Sequence, residues 1–135
     1  MEPGGKPTID LQDLLHPDEQ RRFRRLCLAT SPEELAELMA VVELHVEQIR
    51  ENASPATDVD AAALIGDSLC RLLASGIDFD DEARAQIRGA IEYFVLTEDA
   101  DGDFEDVLGF DDDARVLNTA LERIGHSEFS VRLAG

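Results

Sequence analysis

Apolar side chains recur every three or four positions through most of this chain, the spacing of helices with one buried face. Leu35, Leu38, Met39, Val42, Val46 and Ile49 form one continuous stripe and predict a helix from Pro32 to about Asn52. A second stretch, from Asp58 to about Ser75, places Leu64, Ile65, Leu69, Leu72 and Leu73 on a wide arc, which predicts a helix in a central position. Ala83, Ile87, Ala90, Ile91, Phe94 and Val95 line a third, and Val116, Leu117, Ala120, Leu121 and Ile124 a fourth. Alternation over four or more residues is absent and β-branched residues are sparse, so no strand is expected.

Local chemistry places the helix ends. Ser31-Pro32-Glu33-Glu34 reads as a capping box with proline at the first helical position. Pro17 opens a further helix that runs to about Ala29, with Asp18 and Glu19 in its first turn. Thr57 or Asp58 caps the helix ending at Gly76, and Asp78 or Asp80 caps the next. Gly125 stops the last. Gly66 and Gly89 fall on apolar faces and predict close helix crossings. Thr8 opens a short turn over Ile9–Leu15, broken at His16-Pro17. The expected organisation is all-α: a flexible arm (1–8), a single-domain bundle of about five helices (9–125), and a tail (126–135). Phe129, Val131 and Leu133 leave the tail free either to dock or to fray.

Charge narrows the function. Thirty acidic residues against twelve basic ones give a net charge of −18 in 135 residues. Such a surface repels nucleic-acid phosphates and anionic lipid, and favours a basic protein surface or a divalent cation. With 44% hydrophobic residues the chain still builds a core and is no disordered tail. The first ten residues lack the apolar centre of a leader, and no stretch is apolar enough to span a bilayer. A cytoplasmic protein without a membrane anchor is the expectation, and arginine outnumbering lysine eleven to one fits a GC-rich bacterial genome. Cys27 and Cys70 lack CxxC spacing and read as reduced, buried thiols. His45 reads as a packing residue beside the Leu35–Ile49 stripe. No HExxH, GxSxG, P-loop or GxGxxG motif occurs, so the chain reads as non-enzymatic. Homo-oligomerisation stays open.

One stretch stands out. Glu98–Asp113 holds nine carboxylates in sixteen residues and no basic residue. Asp99, Asp101 and Asp103 have the alternate spacing of the first three ligands in an EF-hand loop, but neither the glycine at position six nor the glutamate at position twelve follows. A non-standard Ca²⁺ or Mg²⁺ site on these three, helped by Glu105 or Asp106, is one expectation, and a solvated acidic loop is the other. Asp111, Asp112 and Asp113 precede the last helix, where a carboxylate caps free backbone N–H groups and complements the helix dipole. Arg21, Arg22, Arg24 and Arg25 span more than one turn, and either pair with the acidic stretch or sit on the surface.

The segment from Ala90 to Ile124 resembles the YkvA-like domain. That family sets aspartates, a glycine–aromatic pair and a closing acidic pair between two helices. Asp99, Asp103-Phe104, Gly109-Phe110 and Asp112-Asp113 match it without gaps, and Tyr93-Phe94 resembles its aromatic pair. The family's three prolines are replaced by Thr97, Gly102 and Asp106, and apolar positions become Glu98, Asp101 and Glu105. The resemblance implies an all-helical fold and a shared bend that brings Asp99, Asp103, Asp112 and Asp113 towards the last helix. Many members of the family look membrane-associated, a property these acidic replacements oppose. Glu98, Asp101, Glu105 and Asp106 are then the candidate partner-binding residues of an acidic interaction or regulatory module. A divalent-cation domain and a DNA mimic occupying a basic cleft are the alternatives.

Overall fold

The two residues that open the longest predicted stripe behave as their chemistry requires. The Glu34 amide donates to Ser31 Oγ at 3.1 Å and the Ser31 amide to Glu34 Oε1 at 2.8 Å, a complete capping box. In this computed structural model the described residues are 17–53, 58–101 and 110–132, with side chains described except at 96–101 and 111. They form α1 (Pro17–Leu26), α2 (Pro32–Glu51), α3 (Val59–Leu73), α4 (Asp81–Asp101), α5 (Asp111–Ile124) and a 3₁₀ turn, Ser127–Phe129. No strand occurs among them. The arm and the short turn over Ile9–Leu15 lie outside the described residues.

Helix ends follow local side chains. Asp58, not Thr57, caps α3 by accepting from the Ala61 amide at 3.0 Å, and Asp80, not Asp78, accepts from the Ala83 amide at 2.8 Å. Gly125 ends α5 at φ 81°, in the left-handed region. Its amide bonds to Glu122 O and that of His126 to Leu121 O at 2.9 Å, the paired bonds of a Schellman motif. Two boundaries differ from expectation. α1 stops at Leu26 rather than Ala29; further on, Ser31 is held extended (ψ 162°) ahead of Pro32 and the carbonyl of Thr30 accepts from Arg84 Nε at 2.7 Å. α4 runs past Leu96 through Asp101 into the acidic stretch. No proline falls between Asp81 and Asp101, so a backbone N–H is present at each position to continue the ladder.

The stripes meet as one core. Phe23, Val42, Ile65, Leu69, Leu72, Ile87, Ile91, Phe94, Leu117 and Leu121 are all buried to within 2%. α4 takes the more central place, packed on α1, α2 and α5, while α3 lies mainly on α2. The wide apolar arc of α3 is therefore spent differently from expectation: part faces α2 and part is covered by the tail. Ser68 Oγ donates to Phe129 O at 2.6 Å, and Asn118 clasps Val131 with bonds of 2.9 and 2.8 Å. The tail docks as far as Val131, which is 7% exposed.

Both glycine crossings are real. A Cβ on Gly66 would meet Val46 Cγ2 at 2.5 Å, and one on Gly89 would meet Cys27 Sγ at 2.5 Å and Phe23 Cε1 at 2.9 Å. His45 packs inside, edge-on to Phe94 at 4.8 Å between ring centroids. Cys27 and Cys70 are free thiols, half-buried rather than buried. Among the described residues no helix is long and apolar enough to cross a membrane.

Candidate functional site

Near its end, at Asp112, the acidic stretch meets the basic helix. Tyr93, the chain's one tyrosine, projects from α4 and is 1% exposed. A buried phenol needs a partner, and its hydroxyl donates to Asp112 Oδ2 at 3.0 Å in the first turn of α5. From α1, Arg22 lies over the Tyr93 ring at 5.6 Å, within cation–π range. Glu19, also on α1, accepts from Arg115 through both carboxylate oxygens at 2.7 and 3.4 Å. Together α1, Tyr93 and Asp112 border a cleft of about 410 Å³, lined by Asp18, Glu19, Arg21, Arg22, Arg25, Tyr93 and Asp112.

Electrostatics in this cleft are mixed. Burial pushes the Asp112 carboxyl above its ordinary range, and Glu19 adds to the push; the bonds from Tyr93 and from its own backbone amide act the other way. Burial also raises the Tyr93 hydroxyl, with the Asp112 charge as the second cause, so the phenol stays protonated and acts as a donor. Arg21 pairs with Asp18. Among the described residues Arg22, Arg24 and Arg25 form no ion pair. The arginines thus neither converge on one target nor all remain idle on the surface.

The sequence-predicted site residues fall in three groups. Glu98, Asp99 and Asp101 lie on the last turns of α4, whereas Asp103, Glu105 and Asp106 lie outside the described residues. Asp99 and Asp101 occupy helical positions about 200° apart around the axis, unlike the loop that the alternate-ligand spacing assumes. Among residues with described side chains no group of three His, Cys, Asp or Glu gathers as a metal site. Asp111, Asp112 and Asp113 do not precede α5 but form its first turn, with Phe110 at the cap position and no cap bond from that side chain. Asp113 is 3% exposed, and Asp112 spends its carboxylate on Tyr93 rather than solely on backbone N–H groups.

Sequence reasoning gave Tyr93 and Glu19 no role in a site and did not single out Arg115. The usable signal was Tyr93 itself, a lone phenol on an apolar face that required a partner.

Basic residues are unevenly placed in the fold, while acids occur on every helix. Arg21, Arg22, Arg24 and Arg25 lie on α1; Arg84 and Arg88 reach from α4 to the carbonyls of Thr30 and Ala29; Arg123 stacks over Phe23 at 5.7 Å; Arg115 pairs with Glu19. The α2–α3 side instead carries Glu33, Glu34, Glu37, Glu43, Glu47, Glu51, Asp58, Asp60 and Asp67 against Arg50 and Arg71. Comparison of the chain with protein-family models, curated proteins and solved structures gave no match to any of them.

Proposed function

We propose that this protein is a non-enzymatic interaction or regulatory module that presents acidic surface to a basic protein partner. The observation that carries the reading is the uneven placement of basic residues. Four of the basic residues lie on α1 and four more on α4 and α5, whereas the α2–α3 side has only Arg50 and Arg71 for its nine carboxylates. Glu98, Asp101, Glu105 and Asp106, which follow Val95 in the sequence, are part of the proposed contact. Like charge repels nucleic acid and anionic lipid, so the module binds neither directly and works in the cytoplasm without a cofactor.

The test is binding of fluorescein-labelled oligo-lysine and oligo-glutamate by anisotropy, at low and physiological salt. The cationic peptide is expected to bind and to weaken steeply as salt rises, and the anionic one not to bind. Combined D101N, E105Q and D106N replacement should weaken the cationic complex. Preference for the anionic peptide would overturn the reading, and unchanged affinity in the triple variant would remove the Glu98–Asp106 segment from it.

A further inference from the structure

Resting on that reading, we propose that the outward face of α2 is a docking strip for a partner helix with an apolar centre and basic flanks. The inner face of α2 is spent on the core through Leu35, Val42, His45, Val46 and Ile49. Leu44 lies nine residues from Leu35, about 180° around the axis, and is 60% exposed. Val41, one turn earlier, is 41% exposed, and Ala40 beside it is exposed too. Single exposed leucines are ordinary, but Ala40, Val41 and Leu44 share one stripe, which makes a continuous apolar step on an otherwise charged helix.

Acids frame that step. Glu37 stands one turn before Val41, Glu43 and Glu47 run along one edge, and Glu51 lies two turns past Leu44. Glu47 pairs with Arg50 at 3.6 Å; Glu37, Glu43 and Glu51 have no ion pair among the described residues. An apolar centre inside a like-charged rim is the inverse image of a cationic amphipathic helix. Two aliphatic side chains three or four residues apart would cover Val41 and Leu44, and flanking lysines or arginines would meet Glu37, Glu43 and Glu51. The same rim repels a bilayer with anionic headgroups and any nucleic acid. A second copy is the nearest rival occupant, since α1 carries Arg24 and Arg25 and Leu28 beyond it is half exposed. Two chains of −18 each repel, and the strip is assigned to a different, basic protein.

The test uses the full chain and three labelled peptides of equal charge: a Leu/Lys helix with one apolar face, its scrambled sequence, and oligo-lysine. The amphipathic peptide is expected to bind about 10-fold or more tightly than the other two, and Leu44→Ser to remove most of that difference, as loss of a central anchor does. Leu44 and Val41 are exposed, so L44S and V41S keep the far-ultraviolet dichroism of the parent. Equal affinity of L44S and parent for the amphipathic peptide overturns the strip while leaving the acidic-module reading standing. Failure of all three cationic peptides overturns both. A dimer in sedimentation that L44S dissolves would assign the strip to a second copy and overturn the basic-helix assignment.

Discussion

Tyr93 and Asp112 are joined by a hydrogen bond of 3.0 Å that ties the middle of α4 to the first turn of α5, across the acidic segment that separates them in sequence. Removing the hydroxyl with Tyr93→Phe keeps the ring under Arg22 but takes from a half-buried carboxylate its side-chain donor. A hydrogen bond to a charged, desolvated group is worth about 1–3 kcal/mol, and Y93F is expected to lose that much in urea unfolding at neutral pH.

Asp112→Asn should act in the opposite sense. Burial, the largest cause, raises the Asp112 carboxyl, so its ionised form is disfavoured in the folded state. The sign follows: the native protein is relieved where Asp112 is protonated, and gives up stability as pH rises through the raised value. The asparagine variant does not titrate. It is expected to be more stable than the parent at neutral pH, with the gain shrinking as pH falls towards the isoelectric point of about 4.2. A gain that instead grows on acidification would contradict the burial argument.

Gly89→Ala tests the α1–α4 crossing. On an exposed helix this change gains about 1 kcal/mol in propensity. Here the new methyl would overlap Cys27 Sγ and the Phe23 ring, and overpacking of a close crossing costs about 1–3 kcal/mol. Net destabilisation, read as a lowered melting temperature, is expected because the Phe23 ring is buried in the core, at 1% exposure, and any shift of it disturbs that packing.

Helices and their starts were legible because their causes are local. Ser31 with Glu34, Asp58, and Gly125 each act within a few residues, and periodicity marks which face is buried. What periodicity does not encode is which face meets which. Glu19 and Arg115 are 96 residues apart, Ser68 and Phe129 61 apart, and nothing in either neighbourhood names the partner. The candidate site suffers most, since its cleft is assembled from α1, α4 and α5 together. Leu44 escaped notice for a related reason: a stripe is recognised by the residues that fit it, and one exposed leucine outside the stripe carries no periodic signal. The metal expectation assumed that the loop began before Asp99, and the helix instead continues through Asp101.

Thiol reactivity offers a check on α1. Burial raises Cys27 to about 11, with Arg123 and Arg24 only partly offsetting it, and its Sγ–H donates to Phe23 O at 3.2 Å. The thiolate is the reactive form, so at mildly alkaline pH Cys27 should react with a disulfide reagent far more slowly than a free thiol. Denaturant should restore ordinary reactivity. Cys70, also raised by burial, will be distinguished by repeating the measurement on C70S.

The tail is held by few groups, which makes it a clean target. Asn118 donates Nδ2 to Val131 O and accepts the Val131 amide on Oδ1, so Asn118→Ala strips both backbone groups of a residue that is 7% exposed. Leaving buried backbone groups unpaired costs about 1–3 kcal/mol each, and the chain avoids that cost by releasing the tail to water. Amide exchange should therefore accelerate at Val131 and at the 3₁₀ turn in N118A, with the amides of α2 unchanged. Ser68→Ala removes only the anchor to Phe129 O and is expected to produce a smaller version of the same pattern, because the Asn118 clasp remains. Uniform acceleration across all helices in either variant would show instead that the tail is integral to the cooperative core.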